Sequence, residues 1–283
     1  MLKVFGFVRR HPRLTHDEYR TAHVGYHNSF GRRLPNIRGY LLNVGANRGL
    51  ETVLGDTLLA RLTHDEPADF DDLWDGWGQL LFDSLEDYLS ARTPSRDRAG
   101  PGGLMDDPGV AEVGGDFDYL YAGSPFQFHV EEQVVVPVER PERKLLKLVQ
   151  FVKRPDDLAP ELFRAYLGGR YASLLATSPG ICGLVVNHRT PIDVMTGFFK
   201  PDAEGFTAAG TERRERFLSY WDAMVEIWLS SADGLVQTLG SGQTAEDLSA
   251  WQARLAARSF WREVDETVAV LPNRAPPPDF YHR

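Results

Sequence analysis

Apolar residues run almost without a break over residues 2–8 (LKVFGFV) and again over 146–152 (LKLVQFV). Such runs predict strands covered on both faces, because a strand with one wet face alternates instead. After each run the period changes. Tyr19, His23, Val24, His27 and Phe30 recur at steps of three and four, as do Phe163, Tyr166, Leu167, Tyr171 and Leu174. That spacing places each set on one face of a helix. Thr15 and Glu18 have the spacing of a capping box at the start of the first helix, and Pro160 stands where a first helical turn tolerates proline. Pro35 and Pro179 disfavour helical geometry just upstream, so each helix is expected to end before them. Residues 39–43 and 183–187 read as second strands. Residues 74–83 and 221–230 read as third strands, each followed by a short helix from near Ser84 or Ser231, and 130–136 and 264–270 as the last strands.

The two passages are one passage written twice. Leu2 to Val44 lies without a gap on Leu146 to His188, with about a dozen identities at that single spacing, as an internal duplication produces. The order strand, helix, strand, strand, helix, strand is that of the ferredoxin-like split βαβ unit, an antiparallel α+β sheet with its helices on one face. Both copies insert roughly 30 residues between their second and third strands, more than an ordinary loop. Within these insertions, residues 56–63 and 192–199 are expected to form extra strands. The expected domains are residues 1–137 and 145–271, joined by a proline-stiffened linker at 138–144 that is too polar to pack and followed by an extended tail at 272–283. The Gly-, Pro- and Asp-rich stretch 94–125 reads as a long irregular connection able to cover a site.

The copies differ where chemistry would be expected. His23 and His27 of the first face Leu167 and Tyr171 of the second, which implies one working half and one supporting half. Imidazoles on an aromatic helix face can move protons near neutral pH; the plain alternative is a buried histidine bonded to a main-chain carbonyl. Two histidines one turn apart can also chelate zinc or face a haem, but neither His64 nor His129 is placed beside them by any motif, so no metal and no cofactor is expected. Asn43 and Asn187 sit in apolar strands, where they either anchor a substrate or pair with backbone. Gln79 and Glu226, at matching places in the third strands, follow the same logic. An unpaired carboxylate at Glu226 would have a raised pKa, and exposure on a rim would make it ordinary. Tyr19, Tyr40, Trp77 and Phe82 are candidate pocket walls, with the ordinary core as the alternative.

Composition narrows the classes. With 31 basic against 40 acidic residues, a net charge of −9 and no cationic cluster, nucleic acid is not an expected partner. One cysteine, Cys182, excludes an internal disulfide framework. No stretch is apolar for long enough to cross a bilayer, and no leader pattern precedes the first run, so a soluble cytoplasmic protein without membrane partners is expected. Glycine-rich phosphate loops, G-x-S-x-G elbows and CxxC pairs are missing from the sequence.

Taken together, Tyr19-Arg20, His27, the run from Leu34-Pro35 to Tyr40, Asn43 and the run from Leu80 to Asp87 resemble the EthD family of the dimeric α+β barrel superfamily. The second half is similar over Phe163-Arg164, Pro179, Ile181, Asn187 and residues 225–228. The resemblance implies two tandem barrel-type domains forming an intramolecular pseudo-dimer, with helices on the outer faces of the sheets and further homodimerisation left open. It also implies a cofactor-independent enzyme acting on a small apolar cyclic or aromatic metabolite, with the family's first-helix histidine at His27. His23 stands where the family often has Trp. A lyase, dehydratase, cyclase or decarboxylase is the leading expectation. A cofactor-free monooxygenase is the second, and a non-catalytic binding protein the third. In the first of these His27 and His23 are catalytic, and Tyr19, Tyr40, Asn43, Trp77, Gln79 and Phe82 bind substrate.

Overall fold

Among the described residues eight strands follow the chain in the order read from the sequence: β1 (Leu2–Val8), β2 (Gly39–Gly45), β3 (Gly76–Phe82), β4 (Phe126–Val136), β5 (Leu146–Lys153), β6 (Ile181–Arg189), β7 (Ala223–Leu229) and β8 (Arg258–Val270). The computed structural model describes residues 1–91, 117–196, 199 and 201–272. All eight strands join in one closed antiparallel barrel, ordered β1-β3-β2-β8-β5-β7-β6-β4. Exchanging the halves leaves this order unchanged, with β5 for β1, β6 for β2, β7 for β3 and β8 for β4. The last strand of each half closes the ring: β4 pairs with β1 of its own half and β6 of the other, and β8 with β5 and β2.

Closure explains the doubly apolar strands, since one face fills the barrel and the other carries helices. Phe5, Phe7, Trp77, Phe128, Val149, Phe151, Trp221, Met224 and Phe260 form an interior cluster, and Phe70 and Phe217 join it from the insertions, their rings stacked at 5.5 Å. Outside, Val4, Tyr40, Leu42, Leu80, Phe82 and Tyr88 belong to a first-half cluster, while Leu148, Val152, Leu167, Tyr171, Val186, Val225 and Ile227 belong to a second-half one. Among the described residues no helix is long and apolar enough to cross a membrane.

The insertions depart from expectation. Residues 56–63 form a helix, Asp56–Leu62, preceded by the short helix Glu51–Leu54. Leu58 and Leu62 are one turn apart and bury one face, which is helical rather than strand periodicity. Leu50, Leu54, Leu58 and Leu62 pack into the outer cluster of the second half, so the first insertion covers the other copy. In return, Val194 of the second insertion lies in the outer cluster of the first half. The described part of 192–199 holds no strand; Asp193 instead closes a turn by accepting from Met195 N–H at 2.8 Å and the Thr196 hydroxyl at 2.7 Å. The linker is mostly exposed and touches the barrel at two places. Glu139 N–H donates to the Cys182 carbonyl at 2.7 Å, and Arg140 meets Glu266 at 3.1 Å over the Trp228 ring. Of the irregular connection 94–125, residues 94–116 lie outside the described residues, as do 273–283 of the tail.

Candidate active site on the first-half helix

The first helix begins as its sequence predicts. Thr15 caps it in a reciprocal box with Glu18 over His16–Thr21. It then widens into a π-helical segment, Ala22–His27, and returns to α form over Asn28–Gly31. The second copy does the same, with α over Pro160–Ala165, π over Tyr166–Tyr171 and α over Ala172–Leu175. Such π segments recur at functional sites.

Tyr19, His23 and His27 form a column of rings on this helix. Tyr19 and His23 stack with centroids 5.2 Å apart and planes 19° from parallel; His23 and His27 stack at 5.3 Å and 7°. Tyr121, which follows the helix Phe117–Leu120, stands edge-on to both imidazoles and hydrogen-bonds His23 Nδ1 through its hydroxyl at 2.8 Å. Burial, and then the neighbouring His27, hold the pKa of His23 well below that of a free imidazole, so the ring is neutral at physiological pH. Its Nε2 is buried with no hydrogen-bond partner among the described residues. His27 is half-buried. Burial, then the nearby Asp75 charge, raises the pKa of the Tyr19 hydroxyl, which likewise has no partner among the described residues. Tyr121 was missed by the sequence reading, because it lies at the end of the irregular connection and nothing in its spacing marks it.

The other predicted residues divide between two sides of the sheet. Tyr40 and Phe82 share the outer side with the histidine helix. The Tyr40 ring lies against Gly31 of that helix, where an added Cβ would come within 2.3 Å, and Phe82 packs edge-on against Tyr88 at 5.5 Å. Asn43, Trp77 and Gln79 point into the barrel. Asn43 accepts from Lys147 Nζ at 2.7 Å, Gln79 donates to Glu226, and Trp77 stacks on Phe7 at 4.8 Å. The sheet separates these three from the imidazoles, so the eight residues do not line one cavity.

Glu226 differs from both readings offered for it, being neither unpaired nor on a rim. It is wholly buried, 2.6 Å from Lys147 and 3.4 Å from Lys3. Burial alone would raise its pKa, but the two ammonium groups and the donors Lys147 and Gln79 overcome this and bring it to about 2.

In the second half the matching positions are Leu167 and Tyr171, both fully buried. The Tyr171 hydroxyl accepts from Gln150 Nε2 at 2.9 Å and donates to Gln252 Oε1 at 3.4 Å, and burial raises its pKa. A cavity of about 400 Å³ opens beside it, lined by Leu62 and His64 of the first insertion and by Leu248 and Gln252. Among the described residues no three His, Cys, Asp or Glu side chains cluster as metal ligands would.

No protein-family model matches the chain, and no curated protein is similar to it in sequence. Solved structures do resemble it in fold. One is described as "Putative monooxygenase" from Fusobacterium nucleatum subsp. nucleatum ATCC 25586, with TM-score 0.52 and 6% identity over 98% of this chain and 95% of that one. Another is an anthrone oxidase-like protein, with TM-score 0.51 and 11% identity over 97% and 95%. The chain therefore shares with these structures an α+β fold, here a closed eight-stranded antiparallel barrel carrying helices.

Proposed function

We propose that the chain is an enzyme built as an intramolecular pseudo-dimer of two EthD-like halves, with its working site on the first-half helix. It abstracts a proton from a small apolar, cyclic or aromatic metabolite without calling on a cofactor. The observation that carries this reading is the column of Tyr19, His23 and His27 edged by Tyr121, in which one copy has two imidazoles and the other a leucine and a tyrosine. His27, the more exposed imidazole, is the base that meets substrate. His23, neutral and fixed by Tyr121, orients it and supports the charge that His27 gains. Tyr40 and Phe82 form the apolar wall behind the helix. The domain limits follow the repeat, with 1–137 and 145–271 as its two units.

The carbanion so formed has two fates. In the first, O2 takes its electrons and a C–O bond forms as a peroxide; the same carbon then loses its second hydrogen as the O–O bond breaks, giving a ketone and one water. In the second, the carbanion expels a leaving group, as in a dehydration, and no O2 is consumed. The likeness in fold to a monooxygenase-type and an anthrone oxidase-like protein favours the first. Incubation with a hydroxylated anthrone in an oxygen electrode tests it. One O2 should be taken up per ketone above the uncatalysed background, and His27→Ala should lower the rate by about 10²–10⁴-fold. Tyr171→Phe should leave the rate nearly unchanged. Conversion without O2 uptake selects the lyase fate, and a fully active His27→Ala refutes the site itself.

A further inference from the structure

The barrel interior holds a charged network that the proposed chemistry leaves unused. Its members come in pairs at matching positions of the two halves: Lys3 and Lys147, Asn43 and Asn187, Gln79 and Glu226, Glu132 and Glu266. Lys3 Nζ donates to Asn187 Oδ1 at 2.8 Å, and Lys147 Nζ to Asn43 Oδ1 at 2.7 Å, each reaching into the other half. Each lysine also meets the last-strand carboxylate of its own half, Glu132 at 3.1 Å and Glu266 at 2.8 Å. These contacts repeat when the halves are exchanged. The centre does not. There an amide faces a carboxylate: Gln79 Nε2 donates to Glu226 Oε1, while Glu226 also takes Lys147 at 2.6 Å, Lys3 at 3.4 Å and Asn187 Nδ2 at 2.9 Å.

The mismatch at the centre discriminates between partners. If a second half paired with its own copy, a second Glu226 carboxylate would stand where Gln79 now donates, and two lysines would have to serve four carboxylates instead of three. If a first half paired with its own copy, two Gln79 amides would meet, and both lysines would lose the carboxylate they share. A buried lysine deprived of its carboxylate and a buried carboxylate in excess of its lysines both cost stability, so both like pairings are worse than the unlike one. We propose that Gln79 and Glu226 form a pairing code, which makes the two halves complementary to each other and poor partners for copies of themselves. The proposal rests on reading the halves as one unit repeated about a twofold axis.

Exchange of the two residues in the full chain tests it. Gln79→Glu should lower Tm by roughly 10 °C at neutral pH, with recovery as acid protonates one of the facing carboxylates. Glu226→Gln should lower Tm by a similar amount. When refolded from urea at high concentration, it should also shift toward dimers and larger species in light scattering. The double variant Gln79→Glu/Glu226→Gln places the carboxylate on the other side of the axis, within reach of the same lysines. It should melt within about 3 °C of the parent and share its oligomeric state. If it is as unstable as the single variants or fails to fold, the twofold relation and the code both fall. If it recovers but Glu226→Gln associates no more than the parent, the repeat stands and the code alone is overturned. Should a single variant fail to fold, the double variant decides the question.

Discussion

Replacing Lys147 by methionine should destabilise the chain far more than the same change at Lys3, although the two occupy matching positions. Methionine nearly conserves the length of the side-chain stem, so the main loss is the ammonium. At Lys147 that ammonium lies 2.6 Å from Glu226, 2.8 Å from Glu266 and 2.7 Å from Asn43, and 4.4 Å from the centre of the Trp228 ring. Its side chain is 0% exposed, and those of the two carboxylates are 0% and 9% exposed. Without it, Glu226 retains Lys3 at 3.4 Å and Glu266 retains Arg140 at 3.1 Å, so neither is wholly abandoned, but water cannot replace what is lost. Breaking a buried pair from one side costs about 3–5 kcal/mol, and the surviving partners place Lys147→Met near the lower end. Lys3 differs at its outer contact, where Glu132 is 33% exposed, and Glu226 keeps Lys147 when Lys3 is removed. Water and the surviving pair limit Lys3→Met to about 1–2 kcal/mol. Urea titration followed by the fluorescence of the six tryptophans would measure both, with equal m-values required for the comparison. Equal losses, or a larger loss at Lys3, would refute the assignment of burial as the cause.

Two further predictions concern the helix and its surroundings. His23→Leu, which installs the residue of the second copy, should reduce acid sensitivity. The folded pKa of His23 lies well below its ordinary value of 6.5, so the stability it gives by staying neutral is complete above that value and lost as pH falls. His188, brought to about 4 by burial and then by Arg164, retains the same sense of pH dependence in the variant. Thermal melts between about pH 7 and 5 check this, and equally steep curves for parent and variant would contradict it. Gly76→Ala should cost about 1–3 kcal/mol, because the new Cβ would lie 2.5 Å from the Asn43 carbonyl oxygen and 2.6 Å from the Tyr19 hydroxyl. Gly25→Ala, with nothing within 4 Å, should be neutral or gain up to about 1 kcal/mol. Chemical denaturation of the pair would expose an error if their order were reversed.

The barrel was legible because periodicity and caps report directly on backbone geometry. The doubly apolar strands, the Thr15–Glu18 box and the helix stops before Pro35 and Pro179 all follow local rules, and the duplication supplied each reading twice. The charged interior was less legible. Asn43, Gln79 and Glu226 stood out as polar residues in apolar strands, but their partners Lys3 and Lys147 sat inside runs read as apolar. Only closure of the ring brings them within reach. The strand reading of 56–63 failed for a different reason. Leu58, Ala60 and Leu62 alternate as in a strand while Leu58 and Leu62 also share a helix face, and what decides between the periods is the neighbour packed against, here the outer layer of the other copy. Tyr121 depended on tertiary placement alone.

The π-helical segments separate backbone shape from side-chain chemistry. A π turn widens one turn of a helix and shifts the facing of every side chain beyond it. Ala22–His27 and Tyr166–Tyr171 occupy equivalent positions, yet only the first contains imidazoles. The same widened turn carries Leu167 and Tyr171 in the second half where the first has its histidines. The distortion is common to both halves and does not depend on the imidazoles. What separates the two halves at this turn is the side chains, carried on backbones of one shape.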